Sequence, residues 1–291
     1  MKFKKFFIAA MLSASLISMS NSEAETLKYF SQTSQMTSST TPYGNNESAA
    51  HYVQSGDAKI YYEIYGQGEP FLILHGGGLG SAYEMGCFID KLKSENQVIV
   101  ISTRGHGKSE IGHTPFSLKQ RADDINAVLN DADVKKSVTI IGFSDGGYSG
   151  YSFAANYPSK VKKLIAIGAG EVLNTNKFFV FNLNEWRKFD SEYIDQQKKL
   201  MPEPNRWQEM LKMYEEMWNG AVISKEIFSK VNCPVLVING ENDINSPMTT
   251  AIASYYELPN AQLSIIPNTP HPCFLVNFNA VWSAIEPFIK E

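Results

Sequence analysis

Short apolar runs alternate with longer amphipathic stretches along most of this sequence. Between two of the runs, apolar residues recur at helical spacing from Leu118 to Leu129, and two further helices are predicted over 148–157 and 247–256. Continuous apolar runs are typical of parallel strands covered by helices on both faces. The predicted strands cover 71–74, 98–101, 138–141, 164–167 and 235–238. This order predicts an α/β fold with a mostly parallel, right-handed, doubly wound sheet.

Two regions depart from that alternation. Residues 51–53 and 60–65 are β-rich segments around a Ser55-Gly56-Asp57 turn, which predicts a β-hairpin. Between about 170 and 230 the sequence is mostly helical and carries Trp186, Trp207 and Trp218 without a convincing strand. We interpret this stretch as an inserted helical cap whose methionines and aromatic residues form its own core rather than contacting substrate.

The N-terminus has the pattern of a secretory signal peptide. Three lysines among the first five residues precede an apolar run over 6–16, and Ser22-Glu23-Ala24 supplies small residues for cleavage after Ala24. We therefore expect export to the periplasm or outside the cell. An uncleaved membrane anchor is the alternative, but the run is shorter than the roughly 20 residues that a spanning helix needs. Residues 25–50 are rich in Ser, Thr, Asn and Gln, which predicts a flexible lead-in that carries no function.

These patterns divide the chain into four parts. One catalytic domain is expected, because 291 residues of which 43% are hydrophobic can bury one large core. The expected parts are a signal peptide at 1–24, a lead-in at 25–50, a core at 51–169 and 231–291, and a cap at 170–230.

Charge and cysteine content exclude several classes of function. The net charge of -4 comes from 26 basic and 30 acidic residues that are interspersed, which argues against a nucleic-acid partner. Cys87, Cys233 and Cys273 are widely spaced, so they indicate neither a disulfide framework nor a zinc site, and packing is their expected role. No metal-ligand spacing and no phosphate-binding glycine motif is present, so no cofactor is expected.

The strongest candidate for chemistry is Ser144. It lies in Gly142-Phe143-Ser144-Asp145-Gly146-Gly147, directly after the predicted strand 138–141 and before a predicted helix. A serine in such a turn adopts a strained backbone that exposes its hydroxyl above the sheet, and the flanking glycines let strand and helix approach closely. The position therefore predicts a nucleophile.

With this motif the chain from about His51 onward resembles the α/β-hydrolase superfamily. Three further segments carry the resemblance: His75-Gly76-Gly77-Gly78 is similar to the family's oxyanion loop, residues 104–109 to the loop after the next strand, and residues 240–243 to the acid turn. The Ser144-Asp145-Gly146-Gly147 sequence is similar to the elbow of valacyclovirase-like hydrolases.

In this fold the catalytic order is serine, acid, histidine. Of the five histidines only His271 follows Ser144, so it is the predicted base. Asp243, at the carboxyl end of a predicted strand, is the predicted acid, with Glu241 as its rival. The carboxylate would fix the tautomer of the imidazole.

The expected oxyanion donors are two backbone N–H groups. Asp145 follows the nucleophile directly, and the resemblance implies Gly77 as the second donor, with Gly78 as the alternative. His75 is expected to be structural, and Arg104 and His106 are expected to organise their loop by hydrogen bonds rather than contact substrate.

These residues together predict a serine hydrolase that cleaves a small carboxylic ester through an acyl-enzyme on Ser144, with amides, thioesters and lactones left open. An aminopeptidase resembling proline iminopeptidase is one alternative. The other is a non-catalytic receptor that binds a small ligand in the same pocket, because fold alone does not give activity. The expected partner is a small acyl substrate, without a stable membrane span after signal cleavage. The oligomeric state is left open.

Overall fold

An eight-stranded sheet runs through the part of the protein that the structure describes. The computed structural model describes residues 26–173 and 179–291. Within these ranges eight strands form the sheet: β1 (Ala50–Ser55), β2 (Ala58–Tyr65), β3 (Glu69–Leu74), β4 (Asn96–Ile101), β5 (Val138–Phe143), β6 (Val161–Ile167), β7 (Val235–Gly240) and β8 (Ala261–Ile266). Their order in the sheet is β1-β2-β4-β3-β5-β6-β7-β8. β2 pairs antiparallel with both β1 and β4, and the other five pairings in this sheet are parallel, so the predicted mostly parallel architecture is confirmed.

Helices cover both faces of the sheet. Those in the described ranges are α1 (Gly86–Leu92), α2 (Leu118–Asp131), α3 (Asp145–Asn156), α4 (Leu183–Phe189), α5 (Ser191–Leu200), α6 (Trp207–Gly220), α7 (Lys225–Phe228), α8 (Met248–Glu257), α9 (Cys273–Val276) and α10 (Phe278–Lys290). Within the two described ranges, none of these helices is both long and apolar enough to cross a membrane.

The apolar runs are continuous because both faces of each central strand are buried. In β5, Ile140 packs in a cluster with residues of α2 and α3, whereas its neighbour Ile141 packs on the opposite face with residues of α1 and α10. Successive side chains of a strand point to opposite faces of the sheet. A strand that is covered by helices on both faces therefore needs apolar residues at every position. All five predicted strand segments lie inside observed strands, and the predicted hairpin is the β1–β2 pair.

The segment before the hairpin is packed against the domain. Leu27, Tyr29 and Tyr43 are each at most 5% exposed, and Glu63 of β2 accepts hydrogen bonds from the Gly44 and Asn46 amides. The expectation of a flexible lead-in over 25–50 is therefore corrected for its described residues, because buried aromatic side chains anchor a segment whose composition is mainly polar. The predicted signal peptide, 1–24, lies outside the described residues.

The insertion between β6 and β7 lies over the carboxyl ends of the strands. Its helices α4, α5 and α6 belong to the predicted cap interval, and a single β-bridge between Val172 and Ile223 connects its two ends. Helix α7 instead packs against α3 and α8 of the core. The cap as a packed unit thus ends near Ile223 rather than at residue 230.

The three cysteines are free and buried. Burial raises the pKa of the Cys233 thiol to about 11 and that of Cys273 to about 12. Neutral thiols in apolar surroundings act as small packing groups, which is the role expected from the sequence.

Candidate active site

Ser144 occupies a strained turn between β5 and α3. Its φ of 49° and ψ of -116° lie outside the regions that ordinary residues prefer, which costs on the order of 1–3 kcal/mol. A hydrogen bond from the Ser144 amide to the Ile167 carbonyl, 2.7 Å, helps to hold the turn. A side chain at Gly146 would come within 2.3 Å of the Leu74 carbonyl oxygen. The glycine is therefore required for the close approach of α3 to the end of β3.

His271 connects the serine to a buried carboxylate. Its Nε2 lies 2.9 Å from Ser144 Oγ and its Nδ1 lies 2.7 Å from Asp243 Oδ2. Asp243 is 5% exposed, and its other oxygen accepts the amides of Asn245 and Ser246 at 2.9 and 2.8 Å. With Nδ1–H donated to Asp243, Nε2 is the acceptor for the serine hydroxyl. The three residues predicted from the sequence thus form one hydrogen-bonded chain.

The rival acid lies in the same turn but faces elsewhere. Glu241 accepts the Asn268 amide at 2.8 Å and is exposed. Its carboxylate makes no hydrogen bond to His271, whereas that of Asp243 does. The geometry therefore favours Asp243.

The predicted oxyanion residues lie side by side at the cavity. Gly77 and Asp145 both line it, and a side chain at Gly77 would come within 2.9 Å of Asp145 Cβ. Within 26–173 and 179–291, neither amide N–H donates a hydrogen bond to another residue. Gly78, the alternative, also lines the cavity and has a φ of +64°. Both amides of the preferred pair are thus available to a bound oxygen atom.

A buried glutamic acid that the sequence analysis missed supports this loop. Glu84 Oε1 accepts the Gly76 amide at 2.6 Å, and burial raises the Glu84 pKa to about 8. His75 is also buried, and this lowers its pKa to about 4. The neutral His75 ring accepts the Thr103 amide at 3.0 Å through Nε2. His75 therefore ties two loops together, in a structural position.

Arg104 and His106 lie within the loop that follows β4. Arg104 is 2% exposed and donates to both oxygens of Asp124, at 3.0 and 2.7 Å, and to Asp57 at 2.7 Å. His106 Nδ1 lies 3.2 Å from Thr103 Oγ1. Neither residue lines the cavity above Ser144, so their contacts organise the loop.

A buried charge lies directly behind the nucleophile, and the sequence analysis did not identify it. Arg121 of α2 is 3% exposed, and its Nε lies 3.4 Å from Asp145 Oδ2. The Arg121 guanidinium also lies 4.8 Å from the ring centre of Tyr214, which comes from the cap helix α6. Tyr214 thereby connects the cap to the base of the site.

A cavity of about 660 Å³ opens above Ser144. Its lining is mostly apolar and aromatic, with contributions from the core, the cap and the N-terminal segment. Trp186 and Trp218 line it, whereas Trp207 is buried in the core of the cap. The expectation that the cap's aromatic residues serve only its own packing is thus corrected for two of the three tryptophans. The aromatic content of a sequence does not distinguish residues that line a cavity from residues that pack in the core of the cap.

Known proteins resemble this chain over part or most of its length. A family model described as alpha/beta hydrolase fold matches residues 69–201. A cis-3-alkyl-4-alkyloxetan-2-one decarboxylase from Shewanella oneidensis is 32% identical over 123 residues, which cover 41% of this chain and 38% of that protein. The serine hydrolase BPHL from Homo sapiens is 23% identical over 243 residues, which cover 79% of this chain and 82% of that protein. Among the curated relatives, some therefore match over well under half of their own length and others over most of it.

Solved structures share the fold across nearly all of the described chain. A serine hydrolase involved in carbazole degradation has a TM-score of 0.68 at 18% identity, covering 83% of this chain and 98% of that one. An esterase from Exiguobacterium antarcticum also has a TM-score of 0.68, at 22% identity, covering 82% of this chain and 99% of that one. At this level of identity the likeness concerns the fold alone, and it confirms the expected fold class.

Proposed function

We propose that this chain, which belongs to the α/β-hydrolase superfamily, is a serine hydrolase that cleaves small carboxylic esters through an acyl-enzyme on Ser144. The observation that carries the proposal is the hydrogen-bonded chain from Ser144 Oγ through His271 to the buried Asp243. A pocket that only binds a ligand has no need of an activated serine on a strained turn.

The proposed reaction begins with attack of Ser144 Oγ on the carbonyl carbon of the ester. His271 Nε2 takes the serine proton, and Asp243 stabilises the imidazolium that forms. The oxygen of the tetrahedral intermediate accepts hydrogen bonds from the Asp145 and Gly77 amides. His271 then returns the proton to the departing alcohol, which leaves an acyl group on Ser144. A water molecule, deprotonated by His271, releases the acid in the second half of the reaction.

The lining of the cavity supports an apolar small-molecule substrate, no larger than a typical drug molecule. Phe181, Trp186 and Trp218 supply aromatic surface from the cap, and Phe143 supplies it from the core. Such surfaces bind hydrocarbon groups through removal of apolar area from water. Esters are therefore the first substrates to test, with thioesters and lactones as chemically related alternatives.

A second candidate, an aminopeptidase, rests on Glu171. This side chain lines the cavity, and burial together with the nearby Glu257 raises its pKa. A carboxylate in this position could pair with the free amino group of an aminoacyl substrate. Comparing a neutral ester with the matching aminoacyl arylamide distinguishes the two, because only the second gains from a cationic amine.

We also propose that the mature protein begins after Ala24 and is exported. The support is the lysine-rich start, the apolar run and the small residues of Ser22-Glu23-Ala24. Expression of the full chain in a bacterial host, followed by mass determination of the N-terminus in the periplasm and medium, tests this. An intact Met1 on membrane-bound protein would contradict it.

The function is tested with p-nitrophenyl acetate and butyrate as substrates of the purified protein and of Ser144→Ala. Hydrolysis that disappears in the variant, together with a fluorophosphonate adduct located on Ser144 by mass spectrometry, is the expected result. A folded wild-type protein that neither hydrolyses these esters nor reacts with the probe would favour the receptor alternative instead.

A further inference from the structure

Residues 26–32 form a strap between the core and the cap. The Lys28 amide donates to Gln196 Oε1 of α5 at 3.0 Å, and Gln196 Nε2 donates back to the Thr26 carbonyl at 3.0 Å. Tyr29 is 1% exposed, and its hydroxyl donates to the Thr37 carbonyl at 2.8 Å. This chain segment, far from the cap in sequence, is therefore fastened to a cap helix.

A buried carboxylate strengthens the contact. Asp190, at the N-terminus of α5, is 8% exposed. It accepts Lys28 Nζ at 3.0 Å, the Ser31 amide at 2.8 Å and the Tyr193 amide of its own helix at 3.0 Å. Charge-assisted hydrogen bonds to a poorly hydrated carboxylate are stronger than those between neutral groups. The strap thus holds the first turn of α5 in place.

The same strap forms part of the wall of the cavity above Ser144. Tyr29 and Phe30 both line the cavity. The Phe30 ring packs edge-on against Tyr193, with 5.8 Å between the ring centres. Tyr193 in turn donates its hydroxyl to the Leu79 carbonyl at 2.6 Å, in the loop after β3 that carries Gly77. The strap, α5 and the oxyanion loop are therefore in one continuous set of contacts.

We infer that the strap is a specificity-determining part of the active site. Phe30 limits the length of the hydrocarbon group that binds on this side of the cavity, and the Lys28–Asp190 pair holds the cap in the position that makes the limit. The inference rests on the proposed ester hydrolase function. A rigid aromatic wall discriminates between chain lengths because the extra methylenes of a longer group have no space to enter.

The first experiment compares Phe30→Ala with the wild type on p-nitrophenyl esters from acetate to octanoate and on alkyl acetates from ethyl to octyl. In one of the two series, the ratio of kcat/KM for the longest to the shortest substrate should rise about tenfold. Phe189→Ala is the matched control, because Phe189 is 78% exposed on α4 and does not line the cavity. Unchanged ratios in both series would overturn the inference.

Binding measurements test the strap without chemistry. In a Ser144→Ala background, tryptophan fluorescence reports Kd for short and long esters, with and without Phe30→Ala. Phe30→Ala should tighten binding of the long ester about tenfold relative to the short one, and equal effects on both would contradict the inference. Failed hydrolysis by the wild type would count against the proposed function. An unaltered ratio of Kd between long and short esters would instead count against the inference that the strap determines specificity.

Lys28→Met tests the role of the Lys28–Asp190 ion pair. Loss of the ammonium group should weaken the hold on Asp190, and the variant should lose part of the wild-type preference for short esters. Lys290→Met, which removes an exposed pair with Glu286 at a residue that does not line the cavity, is the control. A Lys28→Met variant with wild-type chain-length preference would show that the ion pair does not set the limit.

Discussion

Arg121 Nε lies 3.4 Å from Asp145 Oδ2, with both side chains at most 3% exposed. Asp145 is the residue whose amide follows Ser144, so this ion pair lies next to the proposed oxyanion donors. An unpaired carboxylate there would repel the negative charge of the tetrahedral intermediate. The Arg121 guanidinium offsets that charge, and it also packs on the faces of Phe116 and Tyr214.

Arg121→Met should therefore reduce both stability and catalysis. Removal of one partner of a buried ion pair leaves the other charge uncompensated, which costs about 3–5 kcal/mol. The free energy of unfolding from urea titration and kcat for p-nitrophenyl butyrate are the two measurements. We expect kcat to fall by more than tenfold, because the uncompensated carboxylate lies close to the developing oxyanion.

The double variant Arg121→Met/Asp145→Asn provides the matched comparison. It removes both charges and keeps the backbone amide of residue 145, so it should recover most of the stability lost in the single variant. Equal losses in the single and double variants would indicate that Arg121 acts by packing rather than by charge.

Parts of this site follow from local sequence and parts do not. Ser144 and His271 are predictable because a strand-to-helix turn and a fixed chain order restrict them to few positions. Arg121 lies on an amphipathic helix, and nothing in the local sequence indicates that this charged residue is buried. Tyr29 and Phe30 were missed for a related reason. Their sequence neighbours are mostly polar, which predicts an unpacked segment, whereas their contacts are with segments distant in sequence.

The choice between the two acids of the turn after β7 can be tested directly. Asp243→Asn should lower kcat for p-nitrophenyl butyrate by roughly ten-thousand-fold, because the amide cannot stabilise the imidazolium or keep the required tautomer. Glu241→Gln is the control and should retain at least half of the activity, because the Glu241 carboxylate accepts a hydrogen bond from the Asn268 amide and not from His271. A large loss in Glu241→Gln with an active Asp243→Asn would reverse the assignment.

Glu84 should make the stability of the protein depend on pH. Its pKa is about 8 in the folded state, raised by burial from an ordinary value of 4.5. As pH rises between these values the unfolded chain releases a proton that the folded protein retains, so the free energy of unfolding falls. Above pH 8 both states are deprotonated and this contribution becomes constant.

Glu84→Gln replaces the protonated acid with a neutral group of the same shape, whose carbonyl can still accept the Gly76 amide. The variant should match the wild type near pH 5 and exceed its free energy of unfolding by on the order of 4 kcal/mol at pH 9. Urea titrations at pH 5, 7 and 9 measure the difference, with the exposed Glu226→Gln as control. A constant difference in the free energy of unfolding between Glu84→Gln and the wild type across this range would mean that Glu84 is ionised in the folded protein. The Gly76 amide would then donate its hydrogen bond to a carboxylate.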